Sequence, residues 1–243
     1  MKTFQNVSKK ELLKELNWHL KQDRIIQGKY GNIGGEFKGC HMGCVANSIA
    51  RINGVDIGTS NHEKQAEYLY GDKSCEWFVQ LCEVIFEGLS VNKSKRWVVD
   101  SFSVIPEGIT PESLNSIEIP IKIFILEKTK GYHRNEEVYK ATNMVIEALK
   151  GNGDIVVARA AARAAASYAR AAADAAYVAA DYAAHVVVRS AGYAAAAAYA
   201  GNSRSKFYEE LAAFVIEQLK ALDTDLKCGW PSQGIPADGD ALS

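Results

Sequence analysis

The alternation of apolar and polar positions along this chain predicts helices almost throughout. Ser8 and Glu11 have the spacing in which two side chains cap each other's backbone N–H groups, so a first helix is expected to start at Lys9. Leu12, Leu13, Leu16 and Leu20 give it one apolar face, the pattern runs on toward Ile26, and Gly28 ends it. From about Cys40 the period returns through Met42, Val45, Ala46, Ile49 and Ile52, and stops at Asn53-Gly54. Further helices are expected over His62–Leu69, Cys75–Leu89 and Lys93–Val104, the second with a broad stripe of Trp77, Phe78, Leu81, Val84 and Ile85. Thr110-Pro111 reads as an N-cap followed by proline at the first helical position.

Between the first two helices lies Gly28 to Gly39, with five glycines, which reads as a loop feeding a helix N-terminus. The stretch Ile117 to Leu126 supports two readings. Its alternation and β-branched residues suit a strand, whereas Pro120 can open a helix that Gly131 closes; the helix is preferred. An amphipathic helix follows over Asn135–Leu149, and Gly151-Asn152-Gly153 breaks the chain before Asp154 caps the next element.

From Ala158 to Ala200 more than half the residues are alanine, the strongest helix former. Arg159 and Arg163, Arg170 and Asp174, and Asp181 and His185 are i,i+4 pairs that recur every eleven residues. Eleven residues close about three turns at ~3.67 per turn, which keeps these charges on one stripe. Tyr182 and Tyr193 keep the same beat. The stripe reads first as a solvated face, and second as a docking face for an acidic or nucleotide-like partner through Arg159, Arg163 and Arg170. The packing partner expected for this helix is the last one, Arg204–Leu222, after a turn at Gly201-Asn202-Ser203. The expected fold class is therefore mainly α. It has a helical N-terminal module over 1–134, an alanine-rich segment packed on a C-terminal helix over 135–222, and a loose tail over 223–243 pinned by Trp230.

Composition narrows the function classes. Positive and negative residues nearly cancel, at a formal charge of −1, so no global field favours nucleic acid or an anionic membrane. No signal-peptide core precedes the first helix, and charges interrupt the alanine run too often for a lipid-facing span. Five cysteines without scaffold spacing fit a reducing, cytoplasmic setting. Alanine faces can also pair between copies of the chain, which makes a homo-oligomer one expectation.

Candidate chemistry gathers between residues 18 and 62. His19 and Asp23 stand i,i+4, so a carboxylate could orient the imidazole; Cys40 and Cys44 stand i,i+4 at a helix start, where the dipole favours a thiolate. Three readings stay open. One is thiol catalysis with Cys40 as nucleophile, His19 as base and Asp23 as orienter. Another is a metal held by Cys40, Cys44, His19 and His62. The third is binding of a phosphate or carboxylate by Lys38, Gly39 and the helix N-terminus. Against all three stands the plain reading that the thiols are core residues and that His19 and Asp23 are a surface pair.

The elements Trp18-His19-x-x-Gln22-Asp23, Phe37-Lys38-Gly39-Cys40-x-x-Gly43-Cys44 and Ile85-Phe86-Glu87-Gly88-Leu89, with an alanine-rich helix after them, resemble a family of uncharacterised bacterial and bacteriophage proteins. The resemblance implies no activity and no cofactor. It draws Trp18 and Gln22 into the candidate set, and a phage setting would make capture of a host signalling nucleotide one use for such a site. The preferred function is binding of a small anionic, phosphate- or nucleotide-like ligand. A cysteine-dependent enzyme and an interaction protein docking through the alanine-rich helix are the alternatives.

Overall fold

A computed structural model describes residues 6–28, 32–33, 36–56, 61–130, 136–154, 156–157 and 202–228. The alanine-rich run, its charge register and its expected pairing with the last helix lie outside the described residues, as does Trp230. The described chain is mainly helical. In order it forms α1 (Lys9–Lys21), a short hairpin of β1 (Asn32–Ile33) and β2 (Glu36–Phe37), α2 (His41–Asn53), α3 (His62–Tyr70), α4 (Glu76–Gly88) and α5 (Val91–Val104). It continues with α6 (Pro111–Ser116), α7 (Glu118–Lys130), α8 (Glu136–Leu149) and α9 (Asn202–Cys228).

Local chemistry sets three of the helix starts. Ser8, Asn61 and Thr110 each cap a helix by accepting a backbone N–H, from Glu11, Lys64 and Ser113 respectively. Gly54 and Gly71 end α2 and α3 in the left-handed region, with φ of 69° and 84°.

α4 is the hub. Trp77, Phe78, Leu81, Ile85 and Phe86 are all buried, and the helix packs against α2, α3, α5 and α9. A helix enclosed on so many sides must be apolar around most of its circumference. α9 continues this same core: Phe207, Tyr208, Leu211, Val215 and Leu219 are buried in one cluster with Leu12, Ile49 and Trp77. α9 thus shares the core of the N-terminal helices, whereas the buried residues of α8, Val138, Ala141, Val145 and Ile146, lie outside that cluster. α9 also runs to Cys228 instead of stopping at Leu222, taking residues from the expected tail.

Three other expectations change. α1 stops at Lys21, short of Ile26, because Ile25 leaves the helix to form a parallel bridge with Gly39. Ile26 N–H donates to the Gly39 carbonyl and Gly39 N–H to the Arg24 carbonyl, both at 2.9 Å. Full burial of β-branched Ile25 accompanies that extended pairing. The glycine-rich loop contains the β1–β2 hairpin, in the register Asn32↔Phe37 and Ile33↔Glu36. α7 is a helix, as preferred, with Pro120 in its first turn. Its sequence looked ambiguous because it packs on α6, α8 and α9, so its apolar residues form no single stripe.

The Ile85 to Leu89 motif is where separate parts of the chain are joined. Gln27 Nε2 donates to the carbonyls of Phe86 (2.8 Å) and Leu89 (2.9 Å), and Glu87 Oε1 accepts from Gly28 N–H at 2.9 Å. Gly88 makes room for Tyr208 of α9: a Cβ there would lie 2.1 Å from the tyrosine ring. Gly88→Ala should therefore lower stability by about 1–3 kcal/mol through overpacking, outweighing the ~1 kcal/mol that alanine contributes within a helix. In a Tyr208→Ala background the same change should be neutral or stabilising. Urea titration of the four proteins of this cycle tests the contact, and a Gly88→Ala cost that persists without the ring would show that Tyr208 is not its cause.

Candidate functional site

The thiol centre is assembled by α2 and α4. Cys40 is the N-cap of α2, and both Cys40 and Cys44 are fully buried. The anion expected at this helix N-terminus is supplied by the chain itself: Glu83, from the middle of α4, accepts the Met42 N–H at 3.0 Å through Oε2. Its carboxylate is also hydrogen-bonded to the Cys40 thiol. Burial, reinforced by the Glu83 charge, pushes the Cys40 thiol far above its ordinary value and Cys44 up to about 12. The Cys44 thiol donates to the Gly39 carbonyl at 3.3 Å. The dipole effect that would favour a thiolate is thus answered by a carboxylate that opposes one.

The proposed triad does not form. His19 is fully buried, and neither ring nitrogen has a hydrogen-bond partner among the described residues. Its ring lies against Trp18 (centroids 5.0 Å apart) and Phe37 (5.3 Å). Asp23 sits beyond the end of α1 with φ of 50°, exposed, and its carboxylate pairs with Lys95 of α5. The i,i+4 relation failed because the helix ended before Asp23. Nor does a metal set assemble: among the described residues no three His, Cys, Asp or Glu side chains are grouped to hold an ion. His62 opens α3, with its ring half-buried, and does not join Cys40, Cys44 and His19. Gln22 is the exposed C-cap of α1.

The structure does bring together a group that sequence spacing had not joined. Trp18 is half-buried at the end of α1, with the Arg24 guanidinium 4.3 Å and the Arg51 guanidinium 4.1 Å from the centre of its ring. Each such contact is worth ~0.5–2 kcal/mol and holds its guanidinium against the ring. Arg51, on α2, is oriented by Glu15 Oε2 at 2.6 Å from its Nε. Arg24 has no carboxylate partner among the described residues. The Ile25–Gly39 bridge sets Arg24 beside the exit of the glycine-rich loop, where Lys38 is half-buried and Gly39 buried.

Gly39 cannot offer its N–H to a ligand, since that group is bound to Arg24. It is glycine because a Cβ would meet the Phe37 ring at 2.9 Å and the α2 backbone at 3.3 Å. A groove of about 370 Å³ between α5 and α9 is a weaker candidate for a charged ligand. Its charged rim is paired, Lys93 with Glu209 at 2.6 Å and Arg96 with Asp100 at 3.9 Å.

No family model matches the chain, and no curated protein and no solved structure matches it. The resemblance of the three motifs therefore rests on those residues alone.

Two measurements test the burial of the imidazoles and of the thiols. Burial is the main cause that moves the imidazoles of His19 and His41 down from 6.5, to about 4 and about 3. At His19, Glu15 opposes the shift, while Arg51 and Arg24 reinforce it. Both rings are held neutral in the folded state. Their contribution is present above pH ~6.5 and is lost as pH falls toward ~4, because the unfolded chain then binds protons that the folded chain does not. The urea midpoint should fall over that window, and His19→Leu should flatten the fall; an unchanged slope would contradict the neutral buried ring. Secondly, iodoacetamide should alkylate Cys40 in the folded protein far more slowly than a free thiol at pH 8, reaching ordinary rates only on unfolding. Fast native alkylation would restore the thiol-enzyme reading.

Proposed function

We propose that this protein binds a small anionic ligand through Arg24 and Arg51, at the mouth of the glycine-rich loop, with Lys38 at the edge of the same surface. The observation that carries this reading is the pair of guanidiniums drawn to one half-buried indole, one of them with no carboxylate partner among the described residues. Two guanidiniums drawn to one indole raise the positive potential around it, which attracts an anion. Preorganisation by Trp18 and Glu15 limits the side-chain entropy lost on binding. The helix N-terminus of α2, the other expected anion site, is filled by Glu83 and takes no part.

A panel of phosphates, nucleotides and carboxylates at low ionic strength, read by thermal unfolding, tests the reading. A ligand present at a hundred times its Kd should stabilise by about 2.7 kcal/mol. That corresponds to several degrees in Tm for a chain of this size. Arg24→Gln and Arg51→Gln should each remove most of the shift, and Lys38→Gln a smaller part. If no anion raises Tm, or if both arginine variants respond as the parent does, the reading fails.

A further inference from the structure

We propose that Asn152 is a site of spontaneous chemical modification, at which the side-chain amide closes on the Gly153 nitrogen and is turned into a carboxylate. The chain holds two Asn-Gly dipeptides, Asn53-Gly54 and Asn152-Gly153. Glycine after asparagine favours this reaction, because the missing Cβ lets its nitrogen swing onto the preceding amide carbon. Both dipeptides are exposed, so access of water does not separate them. Hydrogen bonding does.

At Asn53 both reacting groups are tied down. Asn53 is the last residue of α2, and the Gly54 N–H that would attack donates to the Ala50 carbonyl at 2.8 Å. Asn53 Nδ2 donates to the Asn6 carbonyl at 3.0 Å and to the Tyr68 hydroxyl at 2.6 Å. The amide carbon therefore meets the Gly54 nitrogen only after the end of α2 opens. At Asn152 the chain has already left α8, which ends at Leu149, and the Gly153 N–H has no hydrogen-bond partner among the described residues. Asn152 Nδ2 makes a single hydrogen bond, to Glu147 Oε2 at 3.2 Å, between exposed groups for which water competes.

In the first step a bond forms between the Gly153 nitrogen and Asn152 Cγ while the Cγ–Nδ2 bond breaks, and Nδ2 leaves with the Gly153 proton as ammonia. Water then opens either carbonyl of the resulting five-membered imide, giving aspartate or isoaspartate. The new carboxylate stands at the C-terminal end of α8, where the helix dipole opposes negative charge, and Glu147 loses the donor it had. Isoaspartate also adds one carbon to the main chain at a tight joint. On one side of it the Asn152 N–H closes α8 on the Glu147 carbonyl at 2.9 Å, and on the other Asp154 accepts the Val156 N–H at 2.7 Å. The modification thus loosens the joint between α8 and the chain that follows.

Incubation of the whole chain at pH 8 and 37 °C, followed by tryptic mapping, reads both sites by the mass gained when an amide becomes an acid. Asn152 should convert at least about tenfold faster than Asn53, which reacts only through local opening of α2. In urea, where neither set of hydrogen bonds survives, the two rates should converge, since both asparagines precede glycine. Gly153→Ala should slow Asn152 about tenfold and leave Asn53 unchanged. Asn53 keeping pace with Asn152 in the folded chain, or Gly153→Ala leaving the Asn152 rate as it was, would overturn the proposal. So would an Asn152 that stays intact in the folded chain over a time in which the urea-unfolded chain converts.

Discussion

A carboxylate buried between two helices holds the N-terminal half of this fold in place. Glu83 comes from a helix enclosed by four others and reaches the first turn of α2, where it accepts the Met42 N–H. Taking a carboxylate out of water costs several kcal/mol unless hydrogen bonds and a favourable field replace the solvent. A helix N-terminus supplies both. Because α2 carries Cys40, Cys44 and Arg51, and leads back through Gly39 to Arg24, this one contact fixes where the thiols lie and which way the basic cluster faces. It also decides the chemistry, since the same negative charge that satisfies α2 suppresses ionisation of the thiols around it.

The local grammar of the helices was readable from sequence, because caps and glycine stops act within four residues of themselves. Ser8, Thr110 and Gly54 do what their positions indicate. The candidate site was less readable. Trp18, Arg24 and Arg51 share no spacing that a single helix or strand would make meaningful; they meet because Ile25 leaves α1 to pair with Gly39. Glu83 had left a trace, as an acidic residue flanked by Leu81, Cys82, Val84 and Ile85 in the middle of an apolar helix. A charge there calls for a buried partner, and Met42 lies 41 residues away. The His19–Asp23 pair failed for the opposite reason, a local rule applied past the point where the helix ends.

The three motifs also acquire roles that need no ligand. Phe37, Gly39 and Gly43 let the loop exit, α2 and His19 approach closely. Phe86, Glu87, Gly88 and Leu89 receive Gln27, Gly28 and Tyr208. Such residues are expensive to change because they serve packing, so their presence as a recognisable pattern does not mark chemistry. The two arginines of the proposed function, Arg24 and Arg51, lie outside all three motifs.

The contact of Gly88 with Tyr208 joins points 120 residues apart, and the alanine-rich run lies on the chain between them. The entropy of closing such a loop grows only with the logarithm of its length, about 0.6 kcal/mol for each doubling. The notch at Gly88 is therefore a clasp whose two halves are made far apart on the chain and must find each other late, after the helices on either side have formed their own turns.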